Sequence, residues 1–214
     1  MKFQEGEIVR IKAGENDQGH GDKLGIILQV TPNLTGVVVA DFPNDLIDLD
    51  DAEAYEVGFP PDERSKPGGW FSEDQLEGVK VFISHDARDA QLAQEVASAL
   101  REAGFKDVWD DRLILPGDNW AEKISEALKE SEVMIVLLTP EALESSIVNW
   151  EIGFALGKES YEKRLIPVIV GSPEKMPDDR IPWILRSLKV IKLPERGKNA
   201  ESLKQIALAL KEVA

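Results

Sequence analysis

The chain has 214 residues, 40 acidic against 25 basic, for a formal net charge of −15. The excess is uneven: 17 acids and 6 bases precede Gly78, and residues 41–63 carry nine acids and no base, a surface that repels phosphate backbones and anionic lipid headgroups. The lack of cysteine excludes disulfides, thiol catalysis and cysteine-ligated metal, and neither a signal-peptide core after Met1 nor a membrane-length apolar run is present, so the expectation is a soluble cytoplasmic chain with no nucleic-acid or membrane partner.

Residues 1–77 alternate short β-rich runs with turn residues. Strands are expected at Glu7 to Lys12, Leu24 to Thr31, Gly36 to Phe42 and, more weakly, Ala54 to Val57, with a closing Leu76-Glu77. Glycines 14, 19, 21 and 25 cluster around the first connection, while Pro60-Pro61 and Pro67-Gly68-Gly69 break the chain before Trp70-Phe71. The succession Gly6-Glu7-Ile8-Val9-Arg10-Ile11, Gly25-Ile26-Ile27-Leu28, a valine strand and the closing pair resembles a small SH3-like barrel. Such a barrel is either a module for protein binding or self-association or a passive appendage. Trp70 and Phe71 are expected in a core or at an interdomain contact, with a groove lining as the alternative.

From Val79 strands and helices alternate, which calls for a parallel sheet covered on both faces. Val79 to Ser84 is the first strand, and Asp89 to Ala103 a helix with Leu92, Val96 and Leu100 on one face, stopped by Gly104. Asp107-Val108-Trp109 is a short strand, followed by a loop from Asp110 to Asn119 and a helix carrying Trp120, Ile124 and Leu128 at helical spacing. Val133 to Leu138 is a continuous apolar strand punctuated by Thr139-Pro140. A helix bearing Glu151 follows, then strands at Arg164 to Val170 and Leu188 to Ile191, and a last helix from about Asn199 to Val213 with Leu203, Ile206, Leu210 and Val213 inward. Five such strands fit a flavodoxin-like α/β fold of order 2-1-3-4-5, whose crevice lies beyond the strand C-terminal ends.

Two segments concentrate the chemistry. Ser145-Ser146-Ile147-Val148-Asn149-Trp150-Glu151-Ile152-Gly153 puts one carboxylate in the opening turns of a helix, and Phe82-Ile83-Ser84-His85-Asp86 ends a buried strand in small and polar residues. Together they resemble the TIR (Toll/interleukin-1 receptor) family, whose members include NAD-cleaving enzymes, over Glu77 to Ala214, so residues 1–77 are expected as an accessory domain and 78–214 as a TIR domain. The resemblance implies NAD+ as a substrate, with no further cofactor and no metal. Breaking the nicotinamide to ribose bond builds positive charge on the ribose, which a fixed carboxylate stabilises; the neutral pyridine leaves without a general acid.

In the family motif Ser-x-Trp-x-x-x-Glu the match places the catalytic glutamate at Glu151 and the serine at Ser145, but Ile147 stands where tryptophan is expected. Stacking lost there is worth roughly 1 kcal/mol. Trp150 cannot simply replace it, since adjacent helical positions point about 100° apart, and its ordinary role is core packing. Further pocket candidates by resemblance are Phe82, Ser84, His85, Trp109, Trp120, Ile147 and Trp150, with Asp110 and Arg112 as substrate or subunit contacts in a mobile loop. The family also implies immune or antiphage signalling, self-association through the TIR domain, and nicotinamide with linear or cyclised ADP-ribose as products. Two alternatives stand beside this reading: a catalytically silent TIR scaffold acting through homotypic contacts, and a nucleoside deoxyribosyltransferase-like enzyme.

Other chemistries lack their residues. A phosphoacceptor receiver needs an aspartate ending the third strand, where Leu138-Thr139 stand. No phosphate-cradling glycine loop follows a strand, and two separated histidines without cysteine make poor zinc ligands. Ser84 and His85 are strand neighbours that face opposite ways, which argues against a nucleophile and base pair.

Overall fold

In the computed structural model, residues 2–14, 21, 24–31, 54–58, 69–109, 117–158, 164–193 and 200–212 are described. The chain divides into two compact units, Met1–Gly78 and Val79–Ala214.

In the first unit, β1 (Ile8–Ile11), β2 (Leu24–Thr31), β3 (Ala54–Gly58), β4 (Gly69–Ser72) and β5 (Leu76–Gly78) form one sheet in the order β4-β3-β2-β1-β5, every neighbouring pair antiparallel. Phe3, Val9, Ile11, Ile27, Tyr55, Val57, Phe71 and Leu76 make its core. The expected strand at 36–42 lies outside the described residues. Strand β4 was not among the expected strands: it begins at Gly69, the last residue of the expected chain break, and carries Trp70 and Phe71. Phe71 is sealed inward opposite Tyr55 while Trp70 is half-buried opposite Glu56, the two-residue alternation of a strand packed on one face.

The second unit carries β6 (Lys80–Ser84), β7 (Asp107–Trp109), β8 (Val133–Leu138), β9 (Leu165–Val170) and β10 (Ile191–Leu193), all parallel, in the order β10-β9-β8-β6-β7. This is the expected 2-1-3-4-5 order. Every residue of β8 and β9 is buried, as strands covered on both faces must be, and their unbroken apolar runs follow from that. One face gathers Phe82, Met134, Val136, Leu138 and Ile169 with helices α2 (Trp120–Glu130), α3 (Pro140–Glu144) and α4 (Ser146–Leu156). Among the described residues, helices α1 (Ala90–Glu102) and α6 (Ala200–Glu212) contribute nothing to that cluster, and they pack on each other.

Three expectations change. The last strand runs over Ile191–Leu193 rather than Leu188 to Ile191, because Leu188 and Val190 fill the core from the connection after a short helix, α5 (Trp183–Arg186). Trp120 is 44% exposed at the first position of α2, so only Ile124 and Leu128 of the proposed inward triplet are buried. Thr139-Pro140 does more than end β8: Thr139 caps α3 and Pro140 opens it, where its missing N–H costs nothing.

Candidate functional site

The end of β6 and the second turn of α4 meet beyond the C-terminal ends of the strands, where an α/β sheet of this order has its crevice. The sequence sets up α4 locally. Ser145 is its N-cap, accepting a hydrogen bond from the Val148 N–H at 3.5 Å, and Asn149 donates through Nδ2 to the carbonyls of Leu143 (3.1 Å) and Ser145 (2.9 Å). The serine of the family motif is thus a capping residue here. The core-facing stripe of α4 is Val148, Glu151, Ile152 and Ala155, an i, i+3, i+4, i+7 pattern in which one member is an acid.

Glu151 is 4% exposed and Ser84 is 1% exposed. The Ser84 hydroxyl donates to Glu151 Oε2 at 2.6 Å. This distance belongs to the short hydroxyl-to-carboxylate class, and it compensates part of the cost of taking a carboxyl group out of water. Ser84 ends β6, level with Val136 of β8, and shares the Phe82 face of that strand. Phe82 is 1% exposed and stacks on Trp109, its neighbour on β7, with ring centroids 4.7 Å apart and planes 8° apart. Phe82 is therefore a core residue that backs Trp109, which is half-buried and the more exposed member of the pair.

The remaining candidates separate. His85 is half-buried, with Nδ1 3.3 Å from the Ile83 carbonyl oxygen. Ile147 is 41% exposed in the first turn of α4, one turn before Glu151. Trp150 is 52% exposed and tilts against Phe154 at 6.2 Å, which corrects its expected role in core packing: the inward stripe starting at Val148 skips position 150. Asp110 and Arg112 lie outside the described residues, as does the rest of the loop to Pro116. A separate groove of about 760 Å³ opens between α1 and α6, lined by Gln94, Ser98, Glu102 and Leu203 among others, and takes no residue from the Glu151 site.

Sequence reasoning passed over a second buried polar pair at the same end of the sheet. Thr139 Oγ1 donates to Asp89 Oδ2 at 2.6 Å, with both residues buried. Its only local signal is the threonine before a proline at a helix start; the partner lies fifty residues upstream. Near the same strand end, the Arg88 guanidinium bonds Asp86 at 2.6 Å and holds that carboxyl below the usual carboxylate range, with partial burial acting against it.

Residues 81–207 match the TIR domain family profile, and the chain belongs to that family. Among curated relatives, it is 27% identical over 129 residues to a stimulator of interferon genes protein from Magallana gigas, covering 58% of this chain and 30% of that protein. A 2' cyclic ADP-D-ribose synthase from Bacteroides thetaiotaomicron is 30% identical over 90 residues, or 41% of this chain and 31% of the relative. A probable 2' cyclic ADP-D-ribose synthase from Methanobrevibacter olleyae is 23% identical over 90 residues, or 42% and 26%. The chain therefore spans less than a third of the length of these relatives. A solved metazoan TIR-STING receptor from C. gigas superposes with a TM-score of 0.50 at 24% identity, over 61% of this chain and 39% of that one, which speaks for the fold alone. No helix among the described residues is long and apolar enough to cross a membrane.

Proposed function

We propose that the unit Val79–Ala214 is an NAD+ nucleosidase in which Glu151 is the catalytic carboxylate. The observation that carries this reading is the acid itself: Glu151 takes the place of an apolar residue in the core-facing stripe of α4 and is held by Ser84 at the C-terminal end of β6. A carboxylate aimed at the ribose from that position stabilises the oxocarbenium-like charge that grows as nicotinamide departs. Trp109, backed by Phe82, supplies a flat wall for a heterocycle, and the polar strand end at Ser84 and His85 supplies partners for ribose hydroxyls. Water or an internal hydroxyl then captures the ribosyl cation, giving ADP-ribose or a cyclic form; the two relatives named as cyclic ADP-ribose synthases favour the second. The setting we propose is cytoplasmic immune or antiphage signalling, with activity raised by self-association and with Met1–Gly78 as an SH3-like module for a protein partner.

The test is nicotinamide release from NAD+ by concentrated protein, followed by chromatography, in parent and Glu151→Gln. Release by the parent and a loss of at least about 100-fold in the variant is expected. Equal release by both, or none by either under conditions where the chain self-associates, overturns the reading.

One observation favours a non-catalytic scaffold instead. Ile147 offers no indole to a ligand, and α4 leaves three large apolar side chains, Ile147, Trp150 and Leu156, each more than 40% exposed. Self-association with intact NAD+ supports that alternative.

A further inference from the structure

Two buried hydrogen bonds of 2.6 Å tie together the same two stretches of chain. Ser84 donates to Glu151, and Thr139 donates to Asp89, so residues 84–89 and 139–151 are joined at both ends. We propose that Asp89 is a positioning residue for the Glu151 carboxylate, acting through Thr139; this inference rests on the nucleosidase reading above.

The links between the two bonds are short and each is fixed. On the β6 side, Asp86 caps a 3-10 turn over Ala87–Asp89, accepting from the Arg88 N–H at 3.1 Å, and the Asp89 N–H donates to the Asp86 carbonyl at 2.8 Å. Arg88 Nη2 also reaches the Glu141 carbonyl at 3.4 Å, a third bond across to α3. On the β8 side, Thr139 Oγ1 accepts from the Ala142 N–H at 3.0 Å while donating to Asp89. One hydroxyl serves as acceptor and donor together, a combination that valine lacks and serine keeps. The Ser145 N–H donates to the Ala142 carbonyl at 3.1 Å, and Asn149 spans from α4 back to Leu143 and Ser145, so α3 and the start of α4 are tied to each other by hydrogen bonds.

A displacement at Thr139 is therefore passed to Glu151, twelve residues on, through hydrogen-bonded turns. A cap for α3 alone does not require Asp89: the threonine oxygen already provides it. Burying a carboxyl group to 2% exposure against that hydroxyl adds a lateral tie between the β6 and β8 ends, where the reacting sugar is to sit.

The experiment compares Thr139→Val, Thr139→Ser and Asp89→Asn in the full chain, each shown to be folded at the assay temperature by circular dichroism. Thr139→Val is expected to lower kcat for nicotinamide release by about 10- to 100-fold with KM within about threefold, since a misplaced group costs turnover more than binding. Thr139→Ser restores the parental value, and Asp89→Asn, which keeps an acceptor oxygen, falls between. A second readout needs no turnover: the 13C carboxyl titration of Glu151 shifts its midpoint in Thr139→Val and stays parental in Thr139→Ser. Parental kcat and titration in a folded Thr139→Val protein overturn the proposal. If the valine variant does not fold, Asp89→Asn is read against the parent in the same two assays, and unchanged values there overturn it. A parent that releases no nicotinamide defeats the nucleosidase reading by itself, and the Glu151 titration still decides the positioning role.

Discussion

Replacing Ser84 with alanine removes the hydroxyl that donates to Glu151 and leaves the rest of β6 intact. Both residues are at most 4% exposed, so water does not readily take the hydroxyl's place. A hydrogen bond to a charged acceptor contributes about 1.5–3 kcal/mol, and we take about 2 kcal/mol as the cost. For a unit the size of Val79–Ala214, each kcal/mol moves the melting temperature by roughly 3–5 °C, so a fall of roughly 6–10 °C is expected by calorimetry. Loosening the carboxylate also lowers kcat, by about 10- to 100-fold. Glu151→Gln keeps the shape and an oxygen that accepts from Ser84, so it is the more stable of the two variants and the less active. The two rankings cross, which a general packing defect does not produce. A Ser84→Ala protein with a melting temperature within about 1 °C of the parent and kcat within about twofold refutes the contact and its role.

Two other outcomes follow from the site. Ile147→Trp places an indole at a position already 41% exposed, so it fits without crowding the core; if this turn of α4 borders the ligand, KM for NAD+ falls about fivefold, the equivalent of roughly 1 kcal/mol of stacking. An unchanged KM places the ligand elsewhere. Asp86→Asn retains the cap on the Arg88 N–H while removing the charge that Arg88 stabilises. Because the folded carboxyl titrates below its unfolded value, its contribution is fully present above about pH 4–5 and is lost as the pH falls through the folded value. The difference in melting temperature between parent and variant is therefore steady from about pH 5 to 8 and disappears in more acidic solution. A difference that grows on acidification contradicts this assignment.

The parallel sheet is legible where burial is symmetrical. The unbroken runs Val133–Leu138 and Leu165–Val170 have no polar side to offer, and only a strand covered twice explains them. Leu188 and Val190 mislead because an apolar residue anchoring a connection reads like one on a strand, and pairing with β9 begins only at Ile191. Trp150 illustrates a different failure. Its size argued for the interior, but helical phase decides: counting from Val148 puts Glu151 inward and Trp150 outward, and that count was available from the sequence. Strand β4 escaped because two aromatics after Pro67-Gly68-Gly69 are too short a run to show period-two alternation. The Asp89–Thr139 pair had no such count to offer. The two residues sit on different loops, and only the strand order, which sets β6 beside β8, brings them together.

Helix α4 has the reverse of an ordinary surface helix: its single charged residue points into the core, and Ile147, Trp150 and Leu156 face outward. An apolar residue at 151 would complete the stripe of Val148, Ile152 and Ala155, so a carboxylate there sacrifices stability that the fold has within reach. That sacrifice is measurable without any substrate. Replacing a buried hydrogen-bonded pair with apolar groups of similar shape is close to neutral or stabilising, whereas removing one partner is costly. The double variant Ser84→Ala with Glu151→Leu is accordingly expected to melt at or above the parent temperature and above Ser84→Ala alone, while releasing no nicotinamide. If instead the leucine lowers stability further in the Ser84→Ala background, by about 1 kcal/mol or more, Glu151 anchors the fold through its other contacts. Its burial would then have a structural cause, and the acid in the stripe would no longer argue for catalysis.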